Sequence, residues 1–167
     1  INNKNNEIRY LEILKLNKEI INFIKKKSLI FIISENTIGS LMGYASLTML
    51  DSLLVPISHD ITYDNFEILR KKYIPQYLWC EENFLNKRIK NLFSPVLKYK
   101  DYCLYKTKIK KNLIIDKQLK FLLSTSGSLG EPKCVKLSFE NIKNNSNAID
   151  KYLKINKLDR TITTLPW

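Results

Sequence analysis

Apolar and polar positions along this chain fall into helical and strand-like stretches that alternate. Residues 8–27 place Ile8, Leu11, Leu14, Ile21 and Ile24 at helical spacing with lysine and glutamate between them, which predicts a surface helix. Leu29-Ile30-Phe31-Ile32-Ile33 is then a continuous apolar run, the pattern of a strand covered on both faces. Ser34-Glu35-Asn36-Thr37 offers capping side chains for a helix over residues 36–50. Within that helix Gly39, Gly43 and Ala45 are small enough to allow close packing on a sheet. Leu53-Leu54-Val55-Pro56-Ile57 reads as a second buried strand, and the strand-helix-strand order implies a right-handed parallel crossover. Residues 62–73 form another amphipathic helix through Phe66, Leu69 and Tyr73, followed by a third strand at Tyr77-Leu78-Trp79-Cys80. Between 84 and 120, Val96-Leu97, the run from Tyr102 to Tyr105, and Leu113-Ile114-Ile115 read as short strands without recognisable chemistry. Repeated βα units of this kind predict an α/β fold with an open, mostly parallel sheet and flanking helices.

The chemistry concentrates in one stretch. Phe121-Leu122-Leu123 leads into Ser124, Thr125, Ser126, Gly127, Ser128, Leu129 and Gly130, and the chain re-emerges through Glu131-Pro132-Lys133 into Cys134-Val135-Lys136-Leu137. That is strand, phosphate-sized loop, strand. Four hydroxyl side chains and two glycines crowd into seven residues. Glycine lets backbone N–H groups turn inward and approach an anion closely. The hydroxyls add rotatable donors, and Lys133 brings one positive charge to the same place. On composition alone a second reading stands beside this one: a Ser/Gly turn of a β-hairpin with Lys133 in solvent. The nucleotide-kinase P-loop fits poorly, because it sets Gly directly before Lys and Ser/Thr directly after it; here Pro132 and Cys134 flank Lys133. After the loop, Ser138 is placed to N-cap a helix running to Leu153, with Ile142, Ala148, Ile149 and Leu153 as its apolar positions.

Ser124 to Val135 resembles the phosphate-binding signature of the adenylate-forming enzymes, the superfamily of acyl-CoA synthetases, peptide-synthetase adenylation domains and luciferases. Its usual form is Thr-Ser-Gly-(Ser/Thr)-Thr-Gly-x-Pro-Lys-Gly-Val. The match lies at Thr125, Ser126, Gly127, Ser128, Gly130, Pro132 and Lys133. Three positions depart: Leu129 stands where the family has Thr, Cys134 where it has Gly, and Phe139 where it has the His of Leu-Ser-His-x-Asn. Leu129 carries no hydroxyl, so no phosphate or metal role goes to it. Asp159-Arg160 followed by Leu165-Pro166 resembles the family's Asp-Arg-x-x-x-x-Leu-Pro strand, and the Gly/Ala-rich helix before Val55-Pro56 matches more loosely. The resemblance thus covers 121–167 well and 29–57 weakly; its strength is the joint order of the motifs.

That resemblance implies an enzyme that activates a carboxylic acid with ATP and Mg2+ to an acyl-adenylate plus pyrophosphate. An acceptor such as CoA or a carrier-protein thiol would then take the acyl group. Residues Ser124, Thr125, Ser126, Gly127, Ser128, Gly130 and Lys133 would bind the ATP phosphates, with no metal ligands among them. It also implies that residues 1–167 are the N-terminal portion of the large domain. The acid pocket, the ribose-binding Asp and the lysine of the mobile C-terminal domain would all lie past Trp167. No complete catalytic set is therefore expected within these residues, and alone they should be inactive.

Composition narrows the alternatives. The chain has 167 residues, enough for one core, with 44% hydrophobic and 26% charged residues. Its 28 Lys+Arg against 16 Asp+Glu leave +12, which raises nucleic acid as a partner. The surplus is almost all lysine spread along the chain, with short clusters only at Lys25–Lys27, Arg70–Lys72 and Lys106–Lys111. A nucleic-acid face would interleave Arg and aromatics on one element, so no specific nucleic acid is expected. A basic nucleic-acid-binding module and a non-catalytic scaffold remain the rival classes. Cys80, Cys103 and Cys134 show neither metal nor disulfide spacing, which fits reduced thiols in a cytoplasm. Glu35, Asn36 and Asp51 interrupt any membrane span over 29–55. No export signal is expected within these residues, and the absence of an initial Met leaves room for an upstream segment. His59, the only histidine, reads as a loop residue without a catalytic role.

Overall fold

Every residue of the first apolar run is buried, and the rest of the molecule is layered around it. The computed structural model describes residues 8–85, 90–109, 113–125 and 133–160. In chain order these form α1 (Tyr10–Ile21), β1 (Leu29–Ser34), α2 (Ile38–Thr48), β2 (Leu53–Ser58), α3 (Tyr63–Tyr73), β3 (Tyr77–Glu81), β4 (Phe93–Tyr99), β5 (Tyr102–Thr107), β6 (Leu119–Thr125), β7 (Lys133–Ser138) and α4 (Phe139–Leu153).

The strands make one sheet in the order β4-β5-β3-β1-β2-β6-β7. Its centre, β3-β1-β2-β6, is parallel. β5 runs antiparallel to β3, β4 antiparallel to β5, and β7 antiparallel to β6. Only β5 and β7 therefore oppose the common direction, and the sheet is open and mostly parallel as expected. The helix α2 links β1 to β2 on one face. On the opposite face α3 links β2 back past β1 to β3. Reversing both direction and face keeps both crossovers the same hand, as the right-handed rule requires.

Strand alternation divides the core. Phe31, Ile33, Val55, Leu78 and Cys80 face Phe66 and Leu69 of α3. Ile30, Ile32, Leu54, Trp79 and Tyr102 face Leu16 and Ile20 of α1 and Met42 and Leu47 of α2. The small residues of α2 do what their size implied. A Cβ on Gly43 would lie 1.9 Å from Trp79 Nε1, and one on Gly39 would lie 2.4 Å from the Tyr102 ring. The Trp79 indole fills that space and donates from Nε1 to Gly39 O at 3.1 Å. Thr37 caps α2, accepting from Ser40 N at 3.3 Å.

Two sequence expectations change. The buried stripe of α1 is Leu16, Asn17 and Ile20, with Ile24 just beyond, while Leu11 and Ile21 are exposed. Apolar residues are frequent enough there to draw two stripes. The one chosen turns Asn17 inward, where its Nδ2 donates to Ser46 O at 2.8 Å and ties α1 to α2. Leu113-Ile114-Ile115 is not a strand: Leu113 and Ile115 pack against the α3-side core, but Ile114 points fully into solvent. Val96-Leu97 does belong to a strand, the longer edge strand β4, with a register shift between Pro95 and Leu97. Proline lacks the N–H a central ladder needs, which confines it to such an edge. Cys80 and Cys103, distant in sequence, are cross-strand partners and are buried free thiols. No described helix is long and apolar enough to cross a membrane.

Candidate functional site: the carboxyl ends of the parallel strands

β6 enters the sheet beside β2, with Phe121 opposite Leu54, and both strands run on in the same direction to Thr125 and Ser58. The chain then returns along β7, and the hairpin closes with Thr125 paired to Lys133 and Ser124 to Cys134. Of the predicted phosphate-binding residues, Ser124 is exposed in the last turn of the ladder, and Thr125 and Lys133 face each other at its end. Ser126, Gly127, Ser128 and Gly130 lie outside the described residues. The ladder fixes both ends of the loop at the carboxyl edge of the parallel strands, where open α/β sheets bind ligands.

Beyond the loop, Ser138 N-caps α4 as expected. Its Oγ accepts from Asn141 N at 3.0 Å, and Ser138 N donates to Asn141 Oδ1 at 2.9 Å, a reciprocal box. Neither of those two residues departs from the family pattern, whereas Phe139 between them does, and it is exposed. The other departure described, Cys134, is half-buried and packs on the α3 side of the sheet. There it meets Tyr73, whose hydroxyl is pushed up to about 12, by burial first and by the bond to the thiol second. The Cys134 thiol thus serves packing between β7 and α3. Thr161 to Pro166, the predicted Leu-Pro strand, lies outside the described residues, while Asp159 folds back to accept from Asn156 N at 2.7 Å.

The same edge of the sheet carries a constellation that no motif announced. β1 ends at Ser34 and Glu35 follows; β2 ends at Ser58 and His59 follows; β3 ends on Glu81. His59 N donates to Ser34 O at 3.1 Å, extending the β1–β2 ladder by one bond and setting the imidazole beside Glu35. One ligand atom from each of Glu35, His59 and Glu81 lies within 4.8 Å of the others, and all three residues are half-buried. His59 stands between two hollows. One, of about 430 Å³, is lined by Tyr63, Phe66, Glu81 and Phe84; the other, of about 470 Å³, by Glu35, Asn36 and Ser58. The Phe84 ring lies 6.0 Å from the imidazole and itself packs edge-on against Phe66. Burial raises the Glu81 carboxyl above its usual range, and the charges of Glu35 and Asp101 raise it further. These residues come from three separate segments, so nothing in their local sequence marks them; only the parallel topology brings them together.

No family model matches the sequence, and no curated protein matches it. Solved structures do. The fold superimposes on o-succinylbenzoate coenzyme A synthetase (MenE) from Bacillus subtilis in complex with AMP, with a TM-score of 0.72 and 15% identity. That match covers 98% of this chain and 45% of the synthetase. The same enzyme with the acyl-adenylate intermediate OSB-AMP matches with a TM-score of 0.69 at 15% identity, over 94% of this chain and 42% of that one. Apo MatB from Rhodopseudomonas palustris matches with a TM-score of 0.67 at 15% identity, over 90% and 33%. The chain has the fold of part of an adenylate-forming synthetase. It spans less than half the length of each of these proteins.

Proposed function

We propose that residues 1–167 are the N-terminal portion of the large domain of an AMP-forming acid ligase, and that the loop from Ser124 to Lys133 holds the β- and γ-phosphates of ATP. One observation carries this reading: the Thr125–Lys133 pairing sets both ends of a hydroxyl-, glycine- and lysine-rich stretch at the carboxyl edge of a sheet whose fold is shared with an AMP-bound synthetase. The donor set fits the ligand. Ser124, Thr125, Ser126 and Ser128 donate, Lys133 adds charge, and hydrogen bonds to charged groups are worth about 1.5–3 kcal/mol each. The loop offers no cluster of carboxylates for a metal of its own, so Mg2+ would arrive on the nucleotide and neutralise phosphate charge there.

In the complete enzyme a substrate carboxylate oxygen would form a bond to the α-phosphorus as the bond from that phosphorus to the β-phosphate bridging oxygen breaks. Pyrophosphate leaves; in a second step the sulfur of CoA or of a carrier-protein thiol bonds to the acyl carbon as its bond to the AMP oxygen breaks, and AMP and the thiol proton are released. The loop's contribution is to hold the leaving pyrophosphate in line and to stabilise its charge. Lys133 acts as a phosphate contact and takes no proton. The free thiols fit a cytoplasmic setting for this chemistry.

Carboxylate-dependent ATP–pyrophosphate exchange tests the proposal, run on the complete enzyme with a panel of fatty, aryl and amino acids. Exchange with one acid class is the expected result. Lys133→Ala should slow it at least about tenfold, the loss of one charged hydrogen bond. An unchanged rate removes Lys133 from the mechanism; no exchange with any acid, in a folded enzyme, removes the ligase reading.

A further inference from the structure

Acids in this molecule ought to find a cation easily, since lysine and arginine outnumber aspartate and glutamate by 28 to 16. Glu67 does so with Arg70 and Lys71, Asp51 with Lys27, and Glu82 with Lys98. Glu35 and Glu81 do not: among the described residues no lysine or arginine forms an ion pair with either. Instead they converge on each other, on His59 and on Asp101. Gathering negative groups where, among the described residues, no lysine or arginine pairs with them is costly unless a mobile cation completes the set.

We propose that Glu35, His59 and Glu81 bind a divalent transition-metal ion of the Zn2+ class at the carboxyl ends of β1, β2 and β3. Two carboxylate oxygens and one imidazole nitrogen are the ligand types such ions take. Zn2+ bonds of about 2.0–2.2 Å place ligand atoms about 3–4 Å apart. The present spread, within 4.8 Å, closes to that by small rotations of the two glutamate side chains. Each ligand is anchored by the ladder that ends in it. β1 and β2 are joined through His59 N to Ser34 O, and β3 lies against β1 with Trp79 opposite Ile32. Asp101 adds a third carboxylate beside Glu81, whose carboxyl its charge raises further, and is held in place by Glu82 N donating to Asp101 O at 3.0 Å. Added negative charge next to a ligand favours a bound cation. Three protein ligands leave a coordination position open toward the hollow of about 430 Å³, room for water or a small donor molecule. The site draws on none of the residues proposed to bind phosphate.

Zinc alone is the probe. The chain, stripped of metal with a chelator, is titrated with Zn2+ by calorimetry and with Co2+ by visible absorption, without nucleotide, so the outcome is independent of the ligase proposal. One ion per chain is expected. Glu35→Gln, Glu81→Gln and His59→Asn should each weaken binding by at least about tenfold, the loss of one ligand. Circular dichroism and the thermal midpoint of each variant establish that it is folded, and the isosteric Gln changes keep volume constant. Three results overturn the site: no saturable binding at sub-millimolar Zn2+, binding that the folded variants retain, or intense thiolate-to-Co2+ charge-transfer bands that place the ion on a cysteine.

Discussion

Gly43→Ala tests how α2 is seated against the strand that ends in Glu81. Built on the native backbone, the new Cβ lies 1.9 Å from Trp79 Nε1 and 2.1 Å from Cε2, where ordinary contacts are about 3.5–4.0 Å. The helix and the indole must therefore part by about 1.5–2 Å. Trp79 has nowhere to retreat: it is fully buried, stacked on Tyr102 at a centroid distance of 5.8 Å, and bonded to Gly39 O. Overpacking costs about 1–3 kcal/mol. Stranding the buried indole N–H costs about 1–3 kcal/mol more, and alanine's better helix propensity returns about 1 kcal/mol. The net is about 1–5 kcal/mol of destabilisation, a fall of about 2–20 °C in Tm for a chain of this size. Urea and thermal unfolding followed by circular dichroism measure it. The same substitution in a Trp79→Leu background should cost little, since the clashing atoms are gone. An unchanged midpoint for Gly43→Ala, or an equal loss in both backgrounds, refutes the packing argument.

Two further predictions concern surface elements. The Glu67 carboxylate is held below its ordinary value of 4.5, first by its hydrogen bonds from Arg70 and then by the charges of Arg70 and Lys71, against opposing burial. A lowered folded value means the pair stabilises the protein above the unfolded pKa and loses that contribution as pH falls through the folded one. Glu67→Gln should therefore lower stability at neutral pH and flatten its decline on the acid side below pH ~4.5, seen in urea midpoints against pH; parallel acid limbs in the two proteins would contradict this. Ser138→Ala removes the reciprocal cap of α4 at a cost of about 1 kcal/mol. Because no residue of α4 is fully buried, the loss should appear as faster amide exchange at Asn141 rather than a lower global Tm.

The central strands were legible because their physics is local. A strand covered on both faces must be apolar throughout, so Leu29–Ile33 and Leu53–Ile57 stood out, and the glycines of α2 announced the close approach that Trp79 exploits. The β6–β7 hairpin was legible because an apolar run leads into a dense Ser/Thr/Gly stretch and strand alternation resumes after it. The α1 stripe was misread because leucine and isoleucine occupy several sides of that helix, and the deciding contact is a polar one, from Asn17 to a neighbouring helix. Leu113–Ile115 misled for a related reason: three apolar residues satisfy a strand pattern even where the chain only drapes over the core. The Glu35–His59–Glu81 cluster had no signature at all. Each residue simply follows or ends a strand, and their meeting is a property of strand order.

Strand order also governs how the hairpin comes to its place. Leu29 meets Leu53 across a single helix, whereas Leu54 meets Phe121 only after α3, β3, β4 and β5 have intervened. Closing the longer loop costs more chain entropy before any contact repays it. β6 and β7, by contrast, are neighbours in sequence and zip together locally. In kinetic terms the molecule is two early-forming pieces joined along one late seam. The β2–β6 junction is the line along which the two would first come apart.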